Sequence, residues 1–276
     1  MTSPFIHPAT TSALYRDGSR LAARTSALHQ AKIRGRPVAD VIAGIATAHL
    51  PHPHQAIVAD LGCGRGTSSR ILAAHLRPRG LLAIDSSQAM LTTARARLTD
   101  TATAVIYIRA DFHRLPFGDG VCDLVVAAFC LYHAPDPRPV IAEIARVLAP
   151  AGIAILVTKS ADSYRTLDYL VAAAGLDTRA TGRPSLYQTA HSGNLEALTA
   201  PILPVIGVEH EEHRFAFTGP DHVAAYLATT PKYELPPAMA ADPDAIAAAL
   251  RTQIADGPVT TTSTVTYVIA GKGSFP

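Results

Sequence analysis

Short apolar runs alternate with helical patterns between residues 56 and 158, and this alternation restricts the fold more than any other feature of the chain. Five runs have the length and apolar content of buried strands. They are Ala56–Leu61, Leu81–Ile84, Val105–Ile108, Cys122–Leu131 and Ile153–Val157. The intervening patterns predict helices over Ser68–Leu76, Ser87–Leu98 and Pro139–Leu148. Strand, helix and strand at this spacing predict an α/β fold, a mostly parallel sheet with helices on both faces.

The segments on either side of this core predict further elements. Helical spacing from Thr10 to Leu50, broken at Gly35 and Pro37, predicts two helices ahead of the first strand. After Lys159 the sequence predicts a helix, two more strands and a helical insert between those strands. Their expected bounds are Leu167–Ala174 for the helix, Val208–Phe217 and Thr262–Ile269 for the strands, and Gly219–Asp256 for the insert. The patterns therefore predict seven strands in all.

Composition indicates a soluble globular protein. Apolar residues make up 48% of the 276 residues and charged residues 17%, which is too apolar for disorder, yet no apolar run is long enough to span a bilayer. Residues 1–20 lack the features of a secretory signal, so we expect a cytoplasmic protein with no membrane partner. The three cysteines suit a reducing compartment. A net charge of +2 without a basic stripe argues against nucleic acid as a partner.

A glycine-rich turn follows the first predicted strand. Residues 58–67 read Val-Ala-Asp-Leu-Gly-Cys-Gly-Arg-Gly-Thr, and the next residues begin a helix. Glycines permit positive φ and bring the backbone close to a ligand, while the helix N-terminus offers unpaired N–H donors. A dinucleotide fingerprint needs glycine where this chain has Thr67. The turn therefore predicts a small polar ligand and argues against a nicotinamide dinucleotide.

Polar residues lie at the ends of four successive predicted strands. Asp60 lies near the end of the first strand and Asp85 closes the second, while Asp111 and the pair Tyr132-His133 follow the next two. Because the carboxyl ends of parallel strands meet at one sheet edge, we expect these residues to line one crevice. A carboxylate at Asp85 can accept the hydroxyl protons of a ribose. It can equally cap the following helix, and that alternative stays open.

In this order the motifs resemble those of class I S-adenosylmethionine-dependent methyltransferases. The resemblance covers residues 56–158, and the matching motifs are Asp60–Gly66, Asp85, Ala110-Asp111, Cys122–Val125 and Leu131–His133. Three flanking features resemble the branch that methylates quinones and bacterial natural products, namely Leu115–Phe117, the helix at 139–148 and Gly35–Pro37. The resemblance implies a Rossmann-like fold, S-adenosylmethionine as the cofactor and a small-molecule acceptor.

We expect residues 1–50 to form an N-terminal helical lid, 51–160 the cofactor-binding core and 161–276 the substrate-binding region and final strands, within one α/β domain overall. The resemblance implies that Asp60 and the glycines of the turn hold the methionine part of the cofactor, that Asp85 holds the ribose, and that Asp111 and Phe112 lie at the adenine. The complete set of implied cofactor contacts is Arg36, Asp60, Gly62, Cys63, Gly64, Gly66, Asp85, Ser86, Ala110, Asp111 and Phe112.

His133 is the first candidate for a catalytic residue because it follows the fourth predicted strand. Methyl transfer from a sulfonium is an in-line displacement that needs no metal and no covalent intermediate, so positioning can supply most of the rate. A base is required only if the acceptor has a proton to lose. We expect His133 to be that base, with Tyr15 on an N-terminal helix as a partner or lid. The alternative is that His133 only ends the strand.

Tyrosines favour a planar acceptor. Tyr187, Tyr226 and Tyr233 occur in segments rich in Pro and Gly, which are typical of loops over an active site. With Tyr132 they are the predicted substrate contacts, and they favour an aromatic or indole-like natural product. The alternative is that buried tyrosines serve packing and make one hydrogen bond.

Other functions receive less support from the sequence. A nicotinamide-dependent oxidoreductase is disfavoured by Thr67 and by the lack of a Tyr-x-x-x-Lys pair. A DNA adenine methyltransferase would need Asn-Pro-Pro-Tyr or Asp-Pro-Pro-Tyr after the fourth strand, and neither stretch follows that strand in this chain. His49, His52 and His54 have no neighbouring carboxylate or cysteine to complete a ligand set, so we expect no metal. A non-catalytic cofactor-binding protein stays open.

Overall fold

The computed structural model describes residues 2–16, 18–240 and 242–272. Its strands are β1 (Lys32–Arg34), β2 (Ile57–Leu61), β3 (Gly80–Asp85), β4 (Val105–Arg109), β5 (Cys122–Ala128), β6 (Leu148–Lys159), β7 (Val205–Phe217) and β8 (Val259–Gly271). Its α-helices are α1 (Pro8–Leu14), α2 (Ser19–Ala31), α3 (Val38–His49), α4 (Thr67–Leu76), α5 (Gln88–Arg97), α6 (Arg138–Val147), α7 (Arg165–Ala173), α8 (Leu195–Thr199), α9 (Pro220–Leu227) and α10 (Pro243–Leu250). Single 3₁₀ turns occupy Pro4–Ile6, Pro53–Gln55, Leu131–His133 and Ala180–Gly182.

The described strands form one sheet in the order β1-β7-β8-β6-β5-β2-β3-β4. Strands β2 to β6 pair in parallel, whereas β8 is antiparallel to β6 and β1 is antiparallel to β7. The prediction of a mostly parallel sheet with helices on both faces is confirmed. Because β2 lies between β5 and β3, the carboxyl ends of β6, β5, β2, β3 and β4 follow one another along one edge.

The predicted number of strands was wrong, because the described sheet has eight strands and not seven. The additional strand is β1, which pairs Lys32 with Phe215 of β7. Three residues are too few to show the alternation by which a strand is recognised, and Ile33 at its centre is 65% exposed. The N-terminal segment also contains three α-helices rather than the predicted two.

The chain divides into two compact units. The first comprises Met1–Gly35, Ser160–Gln188 and Glu211–Thr264, and the second comprises Arg36–Lys159, Thr189–His210 and Val265–Pro276. The core of the second unit is built from α3, α4, α5 and the central strands, with residues such as Ile42, Leu81 and Ile155 fully buried. The apolar runs read from the sequence are therefore strands covered on both faces, as parallel strands require.

The first unit has its own hydrophobic core. Leu167 of α7, Phe217 of β7 and Ile246 of α10 are completely buried in it. Among the residues that the structure describes, none of the helices combines the length and apolar character needed to cross a bilayer.

Candidate active site

The glycine turn at the carboxyl end of β2 has the geometry that its sequence predicts. Gly62, Gly64 and Gly66 have φ values of +61°, +53° and +74°, in the left-handed region that favours glycine. The Cys63 N–H donates to the Ile84 carbonyl at 2.9 Å, which ties the turn to the neighbouring strand β3. The turn is therefore held in a fixed conformation beside β3.

The three glycines face different surroundings. A Cβ on Gly62 would lie 2.6 Å from Cβ of Cys130, and one on Gly66 would lie 3.0 Å from Cβ of Ala94. A Cβ on Gly64 would meet only the Gly62 carbonyl, at 4.0 Å. The outer glycines thus permit close packing, whereas the backbone at Gly64 faces open space in which a ligand can approach.

Asp85 joins the ends of β2 and β3. Its Oδ2 accepts the Gly64 N–H at 2.9 Å, and its Oδ1 accepts the Ser87 N–H at 2.8 Å. Burial raises the pKa of this carboxyl, and the backbone hydrogen bonds oppose that shift. Asp85 therefore helps to begin α5, while Ser87 is the residue whose side chain caps that helix. The same contacts hold the carboxylate beside the open glycine.

Asp60 is buried beneath the turn, with 2% of its surface exposed. Its Oδ2 accepts a hydrogen bond from Oγ of Ser69, in the first turn of α4, at 2.5 Å. Burial raises the pKa of Asp60 to about 7, although the Ser69 hydroxyl partly offsets this. Asp60 thus ties strand β2 to helix α4 below the open backbone of the turn.

The end of β4 carries the predicted adenine contacts. The Ala110 N–H donates to the Asp85 carbonyl at 3.2 Å, which places this segment next to the end of β3. Oδ1 of Asp111 accepts hydrogen bonds within 2.9 Å from the backbone N–H and the ring Nδ1 of His113. Slight burial would raise the pKa of Asp111, but these bonds lower it overall. The Phe112 ring stacks on His113 at a centroid distance of 4.7 Å.

Two other predicted cofactor residues have different surroundings. Ser86 directly follows β3, and its carbonyl accepts Nε of Arg109 at 3.2 Å. Arg36 begins the second unit and lies 3.5 Å from Glu209 of β7, with both side chains about half exposed. The turn and the ends of β3 and β4 thus bring together every predicted cofactor residue except Arg36, which lies ahead of α3.

The end of β5 supplies Tyr132 and His133. The strand stops at Ala128 and not at the predicted Leu131, because Phe129 adopts a φ of +57° and the following residues form a 3₁₀ turn. The rings of Tyr132 and His133 lie 4.9 Å apart, and the Tyr132 side chain is buried. This pair therefore follows the strand that neighbours the glycine turn.

The remaining predicted residues belong to the first unit. Tyr15 ends α1 and is half-buried. Tyr187, Tyr226 and Tyr233 are buried and line one small cavity, whose wall also includes Lys232. The Tyr233 hydroxyl donates to Oδ1 of Asp168 at 2.7 Å. Each of these tyrosines therefore has a place in the packing of the first unit.

Sequence reasoning missed several residues of this sheet edge. They are Ser69, which fixes Asp60, together with Phe129, Lys159 and His191 around the ends of β5 and β6. Position could have indicated Lys159, because it lies two residues after the predicted strand Ile153–Val157. Within the described ranges, no group of three or more His, Cys, Asp or Glu side chains is arranged to hold a metal ion.

Comparison with known proteins finds similarity in the central segment. Residues 59–156 match the family described as "Methyltransferase domain". The chain is 34% identical over 116 residues to a malonyl-[acyl-carrier protein] O-methyltransferase of Marinomonas sp. (strain MWYL1), covering 42% of this chain and 43% of that protein. It is also 34% identical over 126 residues to a trans-aconitate 2-methyltransferase of Delftia acidovorans, covering 46% of this chain and 44% of that protein.

The solved structures extend the likeness in fold beyond the central segment. A geranyl diphosphate C-methyltransferase from Streptomyces coelicolor A3(2), in complex with Mg²⁺, geranyl diphosphate and S-adenosyl-L-homocysteine, superposes with a TM-score of 0.51 at 14% identity. The alignment covers 84% of this chain and 79% of that one. By contrast, the chain spans less than half the length of the two curated relatives named above.

Proposed function

We propose that the chain is a class I methyltransferase that transfers the methyl group of S-adenosylmethionine to a small organic acceptor, since residues 59–156 match the family described as "Methyltransferase domain". The observation that carries the proposal is the hydrogen bond from the Gly64 N–H to the Asp85 carboxylate. An open glycine backbone and a carboxylate are fixed side by side at the carboxyl edge of a parallel sheet. In open α/β folds, ligands bind in the crevice at this edge.

The residues present fit an adenosyl cofactor. Gly64 leaves room for a close approach, and Asp85 is held by two backbone N–H groups with its carboxylate near the turn. In our proposal the turn and Asp60 support the methionine part, Asp85 binds the ribose, and Asp111 with Phe112 binds the adenine. Arg36, Cys63, Ser86 and Ala110 complete the proposed contacts. When bound, S-adenosylmethionine supplies an electrophilic methyl group on a positively charged sulfur.

The protein's own contribution is mainly to position the reactants. A fixed turn and fixed strand ends reduce the reorganisation needed to bring the acceptor to the methyl group, an effect that can supply on the order of 7–11 kcal/mol. His133 remains our proposed base for an acceptor that has a proton to lose, and Tyr15 in the first unit is the second proposed catalytic residue. We therefore expect His133→Ala to lower kcat for protonated acceptors and to leave cofactor affinity unchanged.

The proposed acceptor is an aromatic or indole-like natural product, with Tyr132 in the second unit and Tyr187, Tyr226 and Tyr233 in the first unit as candidate contacts. The proposal is supported by the chemistry of tyrosine, which combines a planar ring with a hydrogen-bonding hydroxyl. The cavity that the last three tyrosines line has room for about one water molecule and does not hold an indole in this conformation. A carboxylic acid is a second candidate, supported by the names of the two curated relatives, since malonyl groups and trans-aconitate carry carboxylates.

Isotope transfer tests the proposed function directly. Purified protein is incubated with S-adenosylmethionine labelled in the methyl group and with a panel of indoles, phenols and small carboxylic acids. The expected result is label in a small-molecule product, together with binding of S-adenosylmethionine but not of NADH in calorimetry. Label found only in protein or nucleic acid would contradict the proposal, as would preferential binding of NADH.

A further inference from the structure

The ends of β5 and β6 lie on the same sheet edge as the proposed cofactor site but carry none of the proposed cofactor contacts. In the strand order, those contacts follow β2, β3 and β4, while β5 lies next to β2 and β6 lies beyond it. Cys130 after β5 packs against the turn, because a Cβ on Gly62 would lie 2.6 Å from Cβ of Cys130. A molecule placed over β5 and β6 would therefore lie next to the cofactor turn.

Lys159 places a positive charge at this part of the edge. It is the last residue of β6, and its Nζ lies 5.3 Å from the centre of the Phe129 ring. Phe129 follows β5, and its N–H donates to the Val157 carbonyl at 2.9 Å. Its φ of +57° is a strained conformation for a bulky residue, and such strain is concentrated at functional sites.

Residues 189–194 are fixed across the same two strand ends. Oγ1 of Thr158 donates to the Ala190 carbonyl at 2.7 Å, and the Ser192 N–H donates to the Lys159 carbonyl at 3.1 Å. Oγ1 of Thr189 donates to the Tyr132 carbonyl at 3.2 Å. His191 is therefore held between two backbone contacts at the end of β6.

One hydrogen bond to the His191 ring determines which of its two nitrogens can donate. The Gly193 N–H donates to Nδ1 of His191 at 3.1 Å, so Nδ1 carries a lone pair and the neutral ring has its proton on Nε2. Partial burial lowers the pKa of His191, which favours the neutral ring at neutral pH. This tautomer can donate a hydrogen bond from Nε2 but cannot accept a proton there.

We propose that Lys159 and His191 bind a negatively charged acceptor oxygen, a carboxylate or a phenolate. The inference rests on the proposed methyltransferase function and names the class of its substrate. A lone pair of the acceptor oxygen forms the O–CH₃ bond, and the electrons of the broken S–CH₃ bond remain on sulfur. The negative charge of the acceptor and the positive charge of the donor disappear together, so an acceptor that arrives ionised needs no base.

The loss of charge during the reaction determines the kinetic signature. Lys159 attracts the acceptor more strongly before transfer than in the transition state, so the interaction serves binding more than rate. For Lys159→Met we expect KM for an anionic acceptor to rise about 10- to 100-fold, with kcat changed less than about threefold. Lys159→Arg should restore most of the affinity, and His191→Gln, which keeps a donor, should bind better than His191→Ala.

Calorimetry on the protein saturated with S-adenosylhomocysteine provides the test. The probes are indole-3-acetate, malonate and 4-hydroxybenzoate, each paired with its neutral amide, and a nitrophenol that is ionised at the assay pH, paired with its methyl ether. The control is Lys272→Met, because Lys272 bonds the Leu148 carbonyl at the opposite end of β6. We expect at least one anion to bind at least tenfold more tightly than its neutral partner, and Lys159→Met but not Lys272→Met to remove that preference.

The possible failures can be told apart. If no anion is preferred over its neutral partner, or if the preference survives in Lys159→Met, the inference about the acceptor is overturned. Affinity for S-adenosylhomocysteine is measured first, in the same instrument. A lack of that affinity would count against the proposed function instead.

Discussion

At the scale of single residues, Asp60 couples the turn to pH. Its pKa in the folded protein is about 7, against 3.8 for an unperturbed carboxyl, because it is buried. The folded state therefore binds a proton more tightly than the unfolded state. The stability contributed by protonated Asp60 is complete below pH 4 and is lost as pH rises through about 7.

We expect Asp60→Asn to remove this dependence. Between pH 5 and pH 7 the wild type should lose up to about 1.4 kcal/mol of unfolding free energy per pH unit relative to the variant. Urea denaturation at pH 5, 6, 7 and 8 measures the difference. Asp100 is exposed, so Asp100→Asn serves as the control. Its plot of unfolding free energy against pH should run parallel to that of the wild type. Parallel curves for Asp60→Asn as well would contradict the assignment.

The glycines of the turn allow a second comparison between residues. Gly62→Ala forces a Cβ to within 2.6 Å of Cys130 at a φ of +61°, so backbone strain and overpacking add. We expect a loss of about 2–4 kcal/mol in unfolding free energy and a large loss of cofactor affinity.

The matched control for that substitution is Gly44→Ala. Gly44 lies on the exposed face of α3, and an added Cβ would meet nothing within 4 Å. This substitution should stabilise the protein by up to about 1 kcal/mol, since alanine favours the helix. Equal effects of the two substitutions in chemical denaturation would show that the packing at Gly62 does not matter.

Residues of the candidate site differ in how far the sequence could predict them. The glycines, Asp60 and Asp85 are adjacent to a strand end, so strand pattern and local chemistry suffice to find them. His191 could not be found in this way, because its position depends on contacts that Ala190 and Ser192 make with β6 across more than 30 residues of sequence. Its tautomer depends on a backbone turn at Gly193.

At the scale of elements, the sequence predicts the central parallel strands well and short or strained segments poorly. Strands β2, β3 and β4 were predicted to within about one residue because two covered faces require continuous apolar runs. The end of β5 was misplaced because Phe129 to Leu131 are as apolar as the strand itself. The strand ends because Phe129 adopts a left-handed φ, and the apolar pattern of the sequence does not reveal that conformation.

A buried ion-pair network offers a prediction at the same scale, in the loop after α7. Arg183 bonds both oxygens of Asp177 and also Glu234, and the side chains of Arg183 and Asp177 are only 6% and 4% exposed. Arg183→Met would remove the charged partner of the buried Asp177 carboxylate and leave it only the backbone N–H groups of Arg179 and Glu234. We expect a loss of about 3–5 kcal/mol in unfolding free energy, measured by urea denaturation.

The control for this prediction is an exposed pair in the same unit. Arg251 bonds Asp221 and Asp256 with 40% of its side chain exposed. Because water screens that pair, Arg251→Met should cost no more than about 1 kcal/mol. A similar cost for the two variants would mean that burial does not set the strength of the Arg183 network.

At the scale of the whole molecule, the parallel sheet could be predicted, but the division into two units could not. Both units combine segments that are distant in sequence, and β7 and β8 each contribute residues to both. Such an arrangement depends on long-range pairing, such as that of Lys32 with Phe215, which leaves no local pattern. Boundaries read along the chain, at residues 50 and 160, therefore stay predictions.

Binding of the cofactor should be visible in the stability of the whole chain. A ligand that binds only the folded state adds about 2.7 kcal/mol at 100 times its Kd, which corresponds to a rise in Tm of roughly 5–10 °C for a domain of this size. Differential scanning calorimetry with S-adenosylmethionine, S-adenosylhomocysteine and NADH measures the effect. We expect the first two to raise Tm and NADH to have no effect. Asp85→Ala should fold but lose most of the rise, because it removes the carboxylate beside Gly64; an undiminished rise in that variant would locate the adenosyl group elsewhere.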